Sequence, residues 1–292
     1  MSSSAEHPQE TTLLRTLCFY SPALDGSDPD FIEGRDGAPG KRNYPHKKEK
    51  VSITDIRGHE KSFSLDEHSF AALPGVFDRD INFTEPAEVA EKYLPWVKDL
   101  IHQHIPGTTN VTVFDWRQRK AAAMKVPNRQ VHKIHMDQSP KGAFLRAPRH
   151  LPAEHVAAIE NGQAYFRIVN VWKPVFRTVK DHPIAFAEVR SLQAADLVPV
   201  RQLASDYVGE TYAVKYRDGQ RFRYWSDMSP NDAVLIQCFD SRAKNPGDGA
   251  GDGLNYVQCA HGSFQLAEEE KDETCTRESI EVRCLVVVAS TC

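Results

Sequence analysis

The chain has 292 residues, with 36 basic and 40 acidic side chains and a formal net charge of −4. That length supports a substantial core, and no basic block is long enough to follow a phosphate backbone, so nucleic acid is not expected as a partner. No apolar run approaches the ~20 residues a membrane helix needs, and the start MSSSAEHPQETT has neither a basic n-region nor an apolar h-region. A cytoplasmic protein with no membrane partner is expected.

Residues 1–50 are rich in Pro, Gly, Asp and Ser and read as an extended arm wrapping a domain that occupies 51–292. Within the arm, KRNYPHKKEK reads as a solvated loop. The first helix is expected in TEPAEVAEKYLPWVKDLIHQHI, with Thr84 as N-cap, Pro86 in the first turn, and Ala90, Leu94, Val97, Ile101 and Ile105 on one face. Pro95 should kink it, and Pro106 with Gly107 should end it. A shorter helix is expected in LPAEHVAAIENG, closed by Gly162.

Short alternating or β-branched windows follow: VTVFDW, YFRIVNVW, TYAVKY, RFRYW, AVLIQCF and SIEVRCLVVVA. No helices are regularly interposed, so the fold class is mainly β with flanking helices, an antiparallel sandwich or barrel. The Gly/Asp-rich DSRAKNPGDGAGDG reads as a surface loop. The six cysteines, Cys18, Cys238, Cys259, Cys275, Cys284 and Cys292, form no CxxC pair and read as reduced thiols, mostly buried.

Two histidines and an aspartate share the stretch VHKIHMDQSP. On a strand, His135 and Asp137 point to one face and His132 to the other, so HxD is a candidate ligand pair without His132. Two ligands are not a site. The best third is His261 in VQCAHGSF, followed by the small Gly262. Two histidines and one carboxylate are the ligand set of non-haem Fe(II) oxygenases, which leave positions open for co-substrate and oxygen. Neighbouring Cys259 and Cys275 match no closed zinc pattern.

Downstream, Arg277, Ser279, Glu281 and Arg283 share one side of TRESIEVRCLVVVA. Such a row is either a surface face with an Arg/Glu ion pair or a buried row awaiting an anion. A dicarboxylate would suit the second reading, because arginine binds a carboxylate bidentately and a serine two residues on can donate to the same group.

Together, HMDQSPKGA, RIVNVWKP, YWSDMSPNDAVLIQCFDS, AHGSF and RESIEVRCLV resemble the Fe(II)/2-oxoglutarate-dependent oxygenases, in particular the fungal hydroxylase/desaturase group that includes gibberellin desaturase and AsaB-like enzymes. The resemblance runs from about residue 108 to the C-terminus and, more faintly, through the N-terminal arm. It implies a double-stranded β-helix (jelly-roll, cupin-like) core, Fe(II) held by His135, Asp137 and His261, and the distal carboxylate of 2-oxoglutarate held by Arg277 with Ser279. Arg283 is the rival clamp, because the stretch between His261 and Arg277 is longer than the family's usual one, with acidic AEEEKDE looped out. Lys173 departs from the arginine found before the proline in the related motif and is expected outside the iron sphere.

The resemblance further implies O2 as oxidant, release of succinate and CO2, and hydroxylation, desaturation or oxidative cyclisation of a small specialised metabolite in fungal secondary metabolism. Arg167, Trp172, Tyr224 and Trp225 are candidates for the substrate pocket, with core packing the other reading for the two tryptophans. Asn170, a polar amide between Val169 and Val171, needs a partner and is placed near the co-substrate. The rival function is a cupin-like metal-binding protein that is non-catalytic or independent of 2-oxoglutarate. Substrate identity and oligomeric state are not legible.

Overall fold

Alternation of inward and outward side chains becomes strands throughout the computed structural model, which describes residues 10–34, 40–119, 133–242, 258–267 and 277–290. The N-terminal strands are β1 (Thr12–Tyr20), β2 (Asp30–Ile32), β3 (Lys41–Arg42), β4 (His46–Asp55), β5 (Phe70–Leu73) and β6 (Thr108–Arg119). Next come β7 (His135–Met136), β8 (Ala164–Pro174), β9 (Ile184–Ala187), β10 (Leu197–Leu203) and β11 (Val208–Val214). The last are β12 (Phe222–Tyr224), β13 (Ala233–Asp240), β14 (His261–Ser263) and β15 (Ser279–Ala289).

They form a ten-stranded sheet ordered β1-β4-β12-β9-β14-β7-β11-β10-β2-β3 and a five-stranded sheet ordered β5-β13-β8-β15-β6. The fold is a double-stranded β-helix: the two sheets meet face to face, with Phe70 of one stacked on Phe186 of the other at 4.5 Å. Phe166, Ile168, Trp172, Ile236, Leu285 and Val287 fill the space between them. The opposite face of the smaller sheet, from Val169, Val171, Ile280, Val282 and Cys284, packs on a helical layer.

Three elements differ from expectation. Thr84 does not cap the first helix; its amide and hydroxyl both donate to Asn82 Oδ1, at 3.0 and 2.7 Å. Around Pro95, where a kink was expected, the helix is irregular. Between α1 (Pro86–Glu88) and α2 (Leu94–His104) the chain makes a π turn over Val89–Tyr93, in which Leu94 N–H reaches back to Val89 O. This wider turn sits just where Pro95 has no N–H to give. The extra residue rotates the buried face, so Val89 and Tyr93 are buried in place of Ala90 and Leu94, while Val97, Ile101 and Ile105 keep their places.

A helix absent from the sequence reading, Pro140–His150, precedes the expected one at Ala153–Glu160. Ser139 caps it, its Oγ accepting Gly142 N–H at 3.0 Å. Gly142 is needed there, because a Cβ would lie 2.1 Å from the carbonyl oxygen of Glu210 on β11. The helix thus lies directly against the larger sheet.

The segment read as a solvated loop opens β4 instead: β1 pairs with β4 from Thr12↔Thr54 to Tyr20↔His46, and Lys48, Lys50 and Ser52 turn outward while Val51 and Ile53 turn inward. Residue 50 lies inside β4. Cys18, Cys238, Cys259 and Cys284 are free thiols, the last three buried. His132, Cys275, Cys292, most of the Gly/Asp-rich loop and most of the acidic stretch lie outside the described residues. No described helix is long and apolar enough to cross a membrane.

Candidate metal centre and co-substrate chamber

The antiparallel register His261↔His135 between β14 and β7 places two sequence-distant imidazoles side by side, with ring centroids 4.7 Å apart. Asp137 follows the end of β7, and its Oδ1 lies 3.2 Å from His135 Nε2. One ligand atom from each of His135, Asp137 and His261 lies within 4.8 Å of the others. Parity along the strand therefore brings together the residues expected to be together.

Local hydrogen bonds fix what these groups offer. His135 Nδ1 lies 3.0 Å from Lys133 O, and His261 Nδ1 lies 3.1 Å from Cys259 O. A carbonyl only accepts, so each Nδ1 carries the proton and each Nε2 presents a lone pair. Burial holds the His135 imidazole below its ordinary value, against the opposing pull of Asp137. Burial pushes the Asp137 carboxyl up, but the Arg283 guanidinium and His135 hold it well below the usual carboxylate range. Two imidazole nitrogens and a carboxylate oxygen thus converge, an arrangement that a divalent cation satisfies. Two nitrogens, one oxygen and no thiolate suit Fe(II), and the Nδ1 bonds are the orienting partners that metal-bound imidazoles require.

Asn170, on β8, was expected beside the co-substrate and finds its partners at the metal cluster. Its Nδ2 donates to Asp137 Oδ2 at 2.6 Å and to Glu281 Oε1 at 3.3 Å. A further neighbour of that carboxylate oxygen is the Cys238 thiol, 3.8 Å away. Neither contact was legible in the sequence, because partner choice across sheets leaves no local signal.

The two candidate clamps differ in their surroundings. Arg283 is engaged by acids: its guanidinium reaches Glu281 Oε1 at 2.8 Å, Asp115 Oδ2 at 3.3 Å and Asp137 Oδ2 at 3.7 Å. Arg277 is buried; it donates to the carbonyl of His182 and, at 3.4 Å, to Ser263 Oγ, and lies 5.5 Å from the Trp172 ring centre. Ser279 Oγ is buried without a hydrogen-bond partner among the described residues.

The centre stands between two spaces. One is a chamber of about 40 Å³ walled by Trp172, Ile184, His261, Ser263, Arg277 and Glu281; the other is a cleft of about 720 Å³ bounded by β2, β6, β10 and the Pro140–His150 helix. His135, Asp137, Arg119 and Arg283 border both.

Of the expected pocket residues only Trp172 lines either space. Arg167 faces away from it, in ion pairs with Asp66 and, at 2.9 Å, with Asp240, because strand parity puts it opposite to Phe166. Trp225 Nε1 donates to Glu60 Oε1 at 3.1 Å, and Tyr224 packs on Phe264 at 5.5 Å. Both belong to the core beside β12. Missed residues are Ser263, Glu281, Arg119 and Asp115; of these only Glu281 had a signal, its place in the polar row of β15.

Fold and site together define a double-stranded β-helix carrying an HxD…H cluster between a small chamber and a wide cleft. A family described as an oxidoreductase/YMDC permease-like domain matches residues 17–287, and the chain belongs to that family. It is 30% identical over 262 residues, 81% of this chain and 78% of the relative, to the hydroxylase/desaturase poxK of Penicillium oxalicum. It is 27% identical over 250 residues, 83% of each, to the Fe(II)/2-oxoglutarate-dependent dioxygenase nvfI of Aspergillus novofumigatus. The solved structure of the iron and alpha-ketoglutarate-dependent endoperoxidase NvfI superposes with a TM-score of 0.75 at 22% identity, covering 96% of this chain and 99% of that one.

Proposed function

We propose that the protein is an Fe(II)- and 2-oxoglutarate-dependent oxygenase of fungal secondary metabolism that hydroxylates, desaturates or cyclises a small specialised metabolite. The observation that carries this reading is the convergence of His135 Nε2, His261 Nε2 and an Asp137 oxygen beside a chamber holding a buried arginine. Relatives named hydroxylase/desaturase and Fe(II)/2-oxoglutarate-dependent dioxygenase support it. Fe(II) with 2-oxoglutarate supplies O2 activation, releasing succinate and CO2.

In this reading His135, Asp137 and His261 hold the iron. Asn170 and Arg283 fix the Asp137 carboxylate from two sides. Arg277 receives the distal carboxylate of 2-oxoglutarate, with Ser279 and Ser263 beside it, since Arg283 already has three carboxylates to neutralise. The chamber's 40 Å³ is close to the volume of a single water, so the co-substrate enters as wall side chains give way. The 720 Å³ cleft is the size of small-molecule sites and houses the substrate. The free thiols fit a reducing compartment, and we place the reaction in the cytoplasm.

The test is product formation. Protein reconstituted with Fe(II) should convert 2-oxoglutarate to succinate slowly in air without substrate, and Asp137→Ala should abolish this. Iron bound at full occupancy with no succinate above the variant's background would favour a metal-binding barrel without oxygenase activity.

A further inference from the structure

The cleft carries more positive charge than its own acids use. Arg117 is met by Asp115 at 3.1 Å and Glu33 at 3.5 Å, Arg149 by Asp206 at 3.3 Å, and Arg283 by the acids at the metal centre. Arg146 and Lys133 also line the cleft, and neither has a hydrogen-bond acceptor or a carboxylate partner among the described residues. Arg146 lies on two aromatic rings instead and Lys133 on one. The Arg146 guanidinium carbon is 5.1 Å from the Phe114 ring centre and 5.0 Å from that of Tyr207, and Lys133 Nζ is 5.4 Å from that of Phe31. Ring contacts hold a guanidinium by its faces and leave its in-plane N–H donors for a partner in the cleft.

We propose that this cleft selects a substrate bearing a carboxylate or equivalent planar oxyanion, with Arg146 as its anchor. The inference rests on the oxygenase reading, which makes the cleft the substrate site. Arg146 is placed by the Pro140–His150 helix, which Gly142 seats against β11, and its ring partners come from β6 and the β10–β11 turn. The anchor is therefore built on the same framework as the metal centre, whose Asp137 lines the same cleft. A planar or unsaturated body beside the anion would also meet Phe31, Phe114 and Tyr207.

The test uses protein loaded anaerobically with Fe(II) and saturating 2-oxoglutarate, titrated calorimetrically with 1-naphthoate and with its neutral isostere 1-naphthamide. Naphthoate should bind about tenfold or more tightly, the discrimination one charged hydrogen bond provides. Arg146→Met should erase the preference and Arg146→Lys should keep part of it. Equal binding of the two probes, no binding of either, or a preference that survives Arg146→Met would overturn the proposal. So would loss of the iron–keto acid absorption band on adding naphthoate, which would put the probe in the Arg277 chamber. If that band is missing from the start while the Arg146-dependent preference persists, the anion site stands and the oxygenase reading falls.

Discussion

Asn170 reaches from the centre of the smaller sheet to the end of a strand in the larger one and donates to Asp137 Oδ2 across 2.6 Å. One carboxylate oxygen is thereby occupied and the other is turned toward the two imidazoles. Asn170→Ala removes that bond and leaves the carboxylate free to rotate. Iron affinity, measured by competition with a calibrated chelator, should fall roughly 10- to 100-fold, as when the orienting partners of metal ligands are removed. An unchanged affinity would mean that Arg283 alone holds Asp137.

Gly262 allows the two histidine-bearing strands to approach. A Cβ there would lie 2.6 Å from Lys133 O, the carbonyl that fixes the His135 tautomer. Gly262→Ala should therefore weaken iron binding by about tenfold or more while leaving the far-ultraviolet circular dichroism unchanged. Affinity equal to wild type would show that β14 can shift without cost.

The two arginines of β15 and its approach should separate cleanly. Arg277→Met should raise the 2-oxoglutarate concentration needed for half-saturation by roughly 10- to 150-fold, the value of a charged hydrogen bond, and leave iron affinity near wild type. Arg283→Met leaves Glu281, Asp115 and Asp137 without their shared cation, so it should lower thermal stability and iron affinity together. The reverse pattern would exchange their roles.

Lys173 supplies a pH prediction away from the metal. Its Nζ is buried over Phe77 at 3.8 Å and Phe83 at 4.8 Å with no hydrogen-bond partner among the described residues, and burial pushes the ammonium down to about 7, with Asp232 opposing. Between that value and the ordinary one near 10.5 the unfolded chain holds a proton the folded chain lacks, so stability rises with pH across this window. Below pH 7 both states are charged and the full burial penalty applies. Urea unfolding at pH 7 and pH 9.5 should show this gain in wild type and a smaller gain in Lys173→Met. Identical pH responses would mean that the aromatic faces keep Lys173 charged throughout.

Much of the centre was legible because it obeys strand parity. His135 and Asp137 on one face, and Arg277, Ser279, Glu281 and Arg283 on another, needed only the two-residue repeat. What parity does not carry is the partner across the gap. Asn170 was expected to need a partner, and its acceptor is a residue 33 positions away. The Pro140–His150 helix was hidden because PKGAFLRAPRH has two prolines, a glycine and no repeating apolar face; its placement comes from the Ser139 cap and the bare contact at Gly142. The strands β1 and β4 were masked by the Pro- and Gly-rich turns between them, and the buried face of α2 by a π turn that no 3.6-residue repeat anticipates.

The most direct measurement is anaerobic titration of the Fe(II)-loaded protein with 2-oxoglutarate, followed by the weak visible charge-transfer band of keto-acid chelation, in wild type and in His135→Ala. A saturable band in wild type that is absent in the variant is the predicted result. Bound iron that yields no band at any 2-oxoglutarate concentration would contradict the proposed function.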